Sequence, residues 1–294
     1  MTAVIFRRRG VGLHLCREIA TASNEAVTVR THNPTRRTAR REGPWPTDTS
    51  LVFRWGCTAR IPVPRTSVVN TAEAIHLVND KPTFRMLLDE HGLCPLTWTD
   101  HDEAEEELDG RDPQWPCIVR PRHHSKGRHF YVCYDHTELR EAWALCNFDG
   151  YISEVINKSA EYRVFVAQGR CVWVARKTPQ NPEQIAWNHV EGFPFDNVRW
   201  GDWSLRVVRV AIEAFNLSGL DFGGVDVIVD QEGRAYVVEI NSAPSTESEY
   251  RTECIARTFD HIIRNGKEPI PLIQERGGWR KFIHPALSME AQVP

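Results

Sequence analysis

The clearest pattern in the chain is a pair of period-two runs at Val225–Asn241, VDVIVD-QEGR-AYVVEIN. Val225, Val227 and Val229 alternate with Asp226, Ile228 and Asp230, and Tyr236, Val238 and Ile240 alternate with Val237, Glu239 and Asn241. Alternation in β-branched residues predicts two strands, and the residues between them, with Gly233, suit a hairpin loop. Pairing Asp230 with Ala235 sets Ile228 opposite Val237 and Asp226 opposite Glu239. Opposed side chains on one sheet face lie roughly 4.5–5.5 Å apart at Cβ. Asn241 points the same way as Glu239. Three oxygen donors therefore converge. Two facing carboxylates repel unless a cation lies between them, and oxygen ligands without His or Cys suit Mg²⁺ beside substrate phosphates. The hairpin reads as a nucleotide–magnesium site; the bland alternative is a solvated polar face.

The same reading predicts the other elements. Residues 1–70 form a small α/β lobe with strands at Ala3–Phe6 and Leu51–Arg54 and an Arg/Pro/Thr-rich loop at Arg30–Thr49. Asn70, with Glu73 three residues on, begins a helix. Asp80 caps a second one, Lys81–His91, which buries Phe84, Leu87 and Leu88 and stops at Gly92. The acidic stretch Trp98–Glu107 leads to a strand at Cys117–Val119. Further strands fall at His129–Tyr134, Tyr151–Ile156, Tyr162–Ala167 and Cys171–Arg176, and a helix at Glu138–Cys146. Thr178–Val198 is a long loop. Asp202 caps a helix with apolar positions Leu205, Val208, Ile212 and Phe215, ended by Gly219. A last helix spans Arg251–Arg264, and 266–294 is a Pro-containing tail. No internal repeat is visible.

Composition changes this picture little. The 294 residues suffice for two or three lobes. No apolar run approaches the roughly 18 residues of a membrane span. Val4-Ile5-Phe6 precedes Arg7-Arg8-Arg9, the reverse of a secretory signal. The eight cysteines are scattered without a C-x-x-C pair, as expected of reduced thiols in a cytoplasmic protein. Charge is uneven: residues 1–65 hold twelve arginines, no lysine and four acids, Glu18, Glu25, Glu42 and Asp48. Guanidinium groups bind carboxylates and phosphates in a fork, so this lobe either meets an acidic partner or is a solvated face. Nucleic acid alone is a weaker partner, because no aromatic-interleaved or helix-turn-helix pattern accompanies the charge.

Other segments carry chemistry. Ile118–Arg128 reads strand, basic loop, strand; its backbone near Ser125 and Gly127 and the charges of Arg120, Lys126 and Arg128 can close over phosphates. Lys81 opens its helix, where a cation opposes the macrodipole, a placement that hints at function. Glu154, ending the strand Tyr151–Ile156, and Glu161, just before the next, are spaced to take an adenine amino group at Glu154, Val155 and Ile156 and ribose hydroxyls at Glu161.

This order, Lys81, Arg120 and its loop, Glu154…Glu161-x-Arg163, Asp226…Glu239-x-Asn241, resembles the ATP-grasp ligases over about residues 70–250. Leu220–Asp226 and Glu239–Pro244 look like the signatures of the bacterial enzymes that add glutamate to a ribosomal protein. The thirteen- and two-residue spacings of Asp226, Glu239 and Asn241 are those of that family's metal ligands. The seven residues from Glu154 to Glu161 are similar to the adenine and ribose contacts of D-alanine–D-alanine ligase. The Arg120…His124–Gly127 loop, Glu161–Phe165 and Trp187–Gly192 look closest to a bacteriophage-encoded ATP-grasp group. There are departures: Arg120 stands for a Lys common in the family, Gly224 for an Arg of D-alanine–D-alanine ligase, and Ser245 for a Gly. Residues 1–70 match loosely.

The resemblance implies an α+β ATP-grasp fold, in which a central lobe (71–148) and a C-terminal lobe (149–265) clasp ATP behind the N-terminal lobe. It implies an ATP-dependent carboxylate–amine ligase that forms an amide through an acyl-phosphate and attaches an amino acid to a peptide or protein. Two Mg²⁺, or Mn²⁺, would be held by Asp226, Glu239 and Asn241, with Lys81, Arg120 and Lys126 on the phosphates. Arg163 or Arg176 would supply the charge that Gly224 lacks; Arg176, Lys177, Asn188 and His189 would face the transferred group, His189 as a base for the amine. The alternatives are a nucleotide-binding scaffold without turnover and a ligase acting on nucleic acid. No membrane partner is expected, and the sequence leaves the oligomeric state open.

Overall fold

The computed structural model describes residues 2–32, 45–61, 68–110, 115–124, 129–178 and 195–270. Three sheets organise them. In the first, β1 (Thr2–Arg8), β2 (Val27–His32), β3 (Thr49–Trp55) and β4 (Val68–Val69) are parallel in the order β2-β1-β3-β4. Parallel neighbours need a crossover, and α1 (Leu13–Ala22) supplies it between β1 and β2. The second sheet is antiparallel: β5 (Thr97–Trp98), β6 (Cys117–Pro121), β7 (Tyr131–Cys133) and β8 (Gly150–Glu154), in the order β5-β8-β6-β7. The third, also antiparallel, contains β9 (Lys158–Ala167), β10 (Arg170–Lys177), β11 (Phe195–Asn197), β12 (Phe222–Asp230) and β13 (Ala235–Asn241), in the order β11-β10-β9-β12-β13.

The helices divide the third sheet into two faces. On one lie α6 (Leu205–Ser218), α2 (Ala72–Asn79) and α3 (Lys81–Asp89), whose Val208, Phe215, Ile75 and Leu88 pack with Val164, Val225 and Val237. By packing, α2 and α3 thus belong to this core. On the other lie α7 (Glu249–Asn265) and the parallel sheet, joined by aromatics: Phe53 stacks on Phe259 at 3.9 Å and Trp55 on Phe222 at 5.7 Å. The second sheet has a separate core with α4 (His101–Asp109) and α5 (His136–Leu145), built on Trp98, Leu108, Val119 and Trp143. All eight cysteines are buried, none in a disulfide, and no helix among the described residues is long and apolar enough to cross a membrane.

Several local expectations need correction. The hairpin forms and sets Asp226 opposite Glu239, but Val229 faces Ala235 and Val227 faces Val237, with a register shift between Asp226 and Val227. A bulge thus restores the pairing that uniform register from Asp230 would have given. Residues 101–109, read as part of an acidic stretch, are helical because Asp100 accepts from the N–H of Asp102 and Glu103, while Ala104 and Leu108 give a narrow apolar stripe. Ser204 rather than Asp202 caps α6, and Leu205 at its first position is exposed. Glu161 lies inside β9 rather than ahead of it, and Val155 and Ile156 follow β8 instead of ending it.

Asn70 is the most consequential correction. It does not begin α2, whose cap is Thr71. It adopts φ 64° and is fully buried. Its Oδ1 accepts from the N–H of Asp221 (2.7 Å) and Phe222 (3.1 Å), its Nδ2 donates to the Phe222 carbonyl (3.0 Å), and its own N–H donates to Asp221 Oδ2 (2.6 Å). Asn tolerates left-handed backbone better than other non-glycine residues, and a buried N–H left unpaired costs about 1–3 kcal/mol. Asn70→Ala should therefore lower unfolding free energy by about 2–4 kcal/mol, and Asn70→Gly, which accepts the backbone, by less. Urea titration of both variants measures this; equal losses would mean that backbone strain contributes nothing.

Candidate active site

The period of two decides what the third sheet shows to each side. On β9, Val164 and Val166 enter the core with α6, whereas Phe165 enters the aromatic core shared with the parallel sheet. Glu161 and Arg163 lie on the same face as Phe165. On β12 that face carries Phe222, Gly224 and Asp226. The pairings Ala175–Arg163, Arg163–Asp226 and Asp226–Glu239 then make one row across β10, β9, β12 and β13. The face turns from aromatic to charged between the Phe165–Phe222 layer and this row.

Within the row the carboxylates already have cations. Arg163 grips Asp226 in a fork, Nε to Oδ1 at 2.6 Å and Nη2 to Oδ2 at 2.8 Å, and its Nη1 donates to Ser245 Oγ at 3.3 Å. Lys81 Nζ, at the start of α3, donates to Glu239 Oε1 at 2.8 Å. Asn241 Nδ2 lies 3.5 Å from Asp226 Oδ2. Burial pushes the Glu239 carboxyl up, but Lys81, with His124 and Arg120 behind it, outweighs burial and holds it down to about 2. Asp80, expected as the helix cap, makes no side-chain cap bond and pairs instead with Arg122, which also holds Asp149 at 2.8 Å.

The second sheet contributes the opposite wall. Arg120 on β6 is paired with Tyr151 on β8, and both point away from the α4–α5 core because Val119 and Ile152 point into it. His124 Nε2 lies 3.1 Å from Tyr151 Oη. Arg85, one turn after Lys81 on α3, donates to the Val237 carbonyl (3.2 Å) and to Ser153 Oγ (3.0 Å), with its guanidinium 5.3 Å from the Tyr151 ring. The Nε atoms of Arg85 and Arg120 are buried without a hydrogen-bond partner.

A second charged cluster flanks the row. Glu161 accepts from Lys177 (2.5 Å) and Lys158 (2.9 Å), so both its oxygens are engaged. Phe195 on β11 has Arg163 at 4.6 Å and Lys177 at 5.2 Å from its ring centre, within cation–π range. Glu154 accepts from the Leu96 N–H at 2.9 Å, and its own N–H donates to the Leu96 carbonyl at 3.1 Å.

Of the sequence-derived residues, the structure brings together Lys81, Arg120, Arg163, Asp226, Glu239 and Asn241, with Glu161 and Lys177 alongside and Glu154, Val155 and Ile156 at the end of β8. Arg176 does not join them: it pairs with Tyr162, is exposed, and lies on the opposite sheet face from Arg163. Ser125, Lys126, Gly127, Asn188 and His189 lie outside the described residues. Sequence reasoning missed Arg85, Tyr151 and the packing role of His124. Arg85 had a signal, its spacing of four from Lys81, which places both on one helix face.

The donor set fits a hard dication. Asp226, Glu239 and Asn241 offer only oxygen and amide groups, and Glu239 stays ionised to about pH 2. Among the described residues no three His, Cys, Asp or Glu side chains converge as a metal site, so a cation here would draw on Asn241 and on ligand oxygens.

The comparisons with known proteins agree with this geometry. The model of an ATP-grasp domain family, the third family of its clade, matches residues 90–261. No curated protein sequence matches the chain significantly. Among solved structures, the D-alanine–D-alanine ligase of Bacillus anthracis is similar at TM-score 0.62 and 15% identity, over 90% of this chain and 97% of that one. The ATP-grasp ligase PsnB complexed with minimal precursor is similar at TM-score 0.61 and 14% identity, over 88% and 98%. The RiPP-associated ATP-grasp ligase of Chryseobacterium gregarium, in complex with ADP and a leader and core peptide, is similar at 0.57 and 14%, over 87% and 96%. At these identities the likeness is one of fold.

His124 gives the site a pH signature. Burial, then Arg120, with Lys81 and Arg85, lowers its pKa from 6.5 to about 3 against the pull of Glu239. Between those values the unfolded chain binds a proton that the folded chain refuses, so stability falls as pH drops from 6.5 towards 3. Urea unfolding of His124→Gln should show a smaller stability loss between about pH 7 and about pH 5 than the parent chain. Parallel curves would mean that this imidazole is not held neutral.

Proposed function

The chain belongs to this family of ATP-grasp domains, and from this we propose that it is an ATP-dependent carboxylate–amine ligase that joins an amino acid to a peptide or protein. The observation that carries the reading is the charged row Arg163–Asp226–Glu239, closed by Lys81 and faced across a cleft by Arg120 and Tyr151. In this reading ATP lies between the second and third sheets. Its adenine is at Glu154, Val155 and Ile156, its ribose is at Glu161, and its phosphates run towards Lys81, Arg120 and the loop with Ser125, Lys126 and Gly127. A Mg²⁺ pair at Asp226, Glu239 and Asn241 would supply charge neutralisation between the phosphates.

The chain's own residues then bind and orient. An oxygen of the substrate carboxylate attacks the γ-phosphorus, the bond to the ADP oxygen breaks, and an acyl-phosphate results. The amine attacks the acyl carbon, inorganic phosphate leaves, and the amine proton passes to a base or to water. Arg163 sits at the edge of the row beside Ser245, where it can hold the carboxylate end. Lys177 stands behind it across Phe195. Asn188 and His189 remain proposed for the transferred group, His189 as the base. A peptide acceptor is supported by the precursor and leader peptides bound by PsnB and the Chryseobacterium gregarium ligase.

One observation favours a second reading, a nucleotide-binding scaffold: Lys81 and Arg163 neutralise both carboxylates without a metal. Incubation with ATP, Mg²⁺ and an amino-acid and peptide panel, followed by mass spectrometry, separates the two. The ligase releases ADP only with carboxylate and amine present, and the scaffold releases none. In the ligase, Glu239→Gln should lower ADP formation by about a hundredfold or more, the scale of removing one preorganised electrostatic partner, while the circular dichroism spectrum stays unchanged. A folded variant with near-parental turnover would rule out the metal assignment.

A further inference from the structure

Asp226 and Glu239 face each other, yet neither waits for a metal. Asp226 is held at both oxygens by the Arg163 fork, and its remaining neighbour is the Asn241 amide at 3.5 Å. Arg163 and Asp226 are largely out of solvent, their side chains 14% and 12% exposed. A dication that takes Asp226 must therefore take it from Arg163. We propose that Arg163 is a displaceable internal cation: it occupies Asp226 until a divalent ion arrives, and the freed guanidinium then anchors the carboxylate of the acyl substrate. The inference rests on the ligase reading above.

The surroundings show where the guanidinium can go. Its Nη1 already reaches Ser245 Oγ at 3.3 Å, in the segment that follows Asn241. Phe195 offers a ring face at 4.6 Å, so the charge stays supported after it leaves Asp226. Gly224 keeps this space clear. A Cβ there would lie 2.7 Å from Pro244 Cβ and 3.8 Å from Arg163 Cδ, so a side chain would push on the Pro244 segment and crowd the guanidinium's path. A guanidinium stripped of its carboxylate in a partly buried place is costly unless another anion replaces it, and a carboxylate accepts its fork in the same two-bond geometry as Asp226. The exchange therefore imposes an order. Metal binds first, and the anionic substrate binds tightly only afterwards.

The test uses Mn²⁺ alone on the nucleotide-free full-length protein, with binding read by electron paramagnetic resonance. Removing the competing cation should tighten Mn²⁺ binding in Arg163→Gln by at least about tenfold, or about 1.4 kcal/mol. Arg163→Lys, which keeps the charge but loses the fork, should fall between the variant and the parent. Equal or weaker binding in Arg163→Gln overturns the exchange and leaves the metal reading standing. Absence of Mn²⁺ binding in every protein, even with a non-hydrolysable ATP analogue, overturns both. A second measurement needs no variant. Phenylglyoxal modification of Arg163 in the parent chain, normalised to the buried Arg251 in the same digest, should rise at least about threefold when Mn²⁺ is added, as expected if the fork loses its carboxylate. An unchanged ratio overturns the proposal even if Arg163→Gln does not fold.

Discussion

Two carboxylates placed opposite one another on a partly buried sheet face are the constraint around which the rest of the structure is arranged. Asp226 and Glu239 cannot both stay ionised there without compensation. Compensation comes from two directions: Arg163 from the neighbouring strand and Lys81 from a helix more than 150 residues earlier in the chain. The first cation needs no tertiary contact beyond the sheet. The second requires α3 to lie with its N-terminus against β13, although a helix start disfavours positive charge. Packing of Phe84 and Leu88 into the core with α6 holds it there.

That helix also joins the walls of the cleft. Lys81 and Arg85 project from one face of α3, the former to Glu239 and the latter to both Val237 on β13 and Ser153 on β8. The segment after it continues the link, since the Leu93 carbonyl accepts from the Val237 N–H at 2.7 Å and Leu96 exchanges hydrogen bonds with Glu154. The edge of β13 is therefore satisfied by the chain that leads to β5, and the distance between the charged row and the end of β8 is set by one short run of residues.

Most of this was legible in the sequence where local rules suffice. The hairpin showed itself because a two-residue period survives in β-branched residues, and Asp226 met Glu239 as expected. The bulge that restores this pairing was not legible, since register at a bulge depends on packing on both faces. The acidic helix α4 escaped because only Ala104 and Leu108 mark its buried side. Asn70 misled because an Asn before a helical run suits a cap, whereas its actual partners lie 151 and 152 residues away. Arg85 and His124 became site residues only through tertiary contacts, and Arg176 was excluded by strand alternation once β10 had a fixed register.

The close approach at Gly56 has an architectural consequence. This residue follows β3 with φ 61°, and a Cβ on it would stand 2.9 Å from Ala243 Cβ, in the segment between Asn241 and Ser245. Directly beneath, Phe53 and Trp55 complete the aromatic layer with Phe222 and Phe259. The N-terminal sheet is thus a floor on which the strands of the charged row rest rather than an accessory module. A chimera that exchanged it for the corresponding lobe of a relative would have to match this aromatic layer and the glycine gap together. The natural seam for recombining such proteins runs elsewhere, around the β5–β8 sheet, whose core is its own.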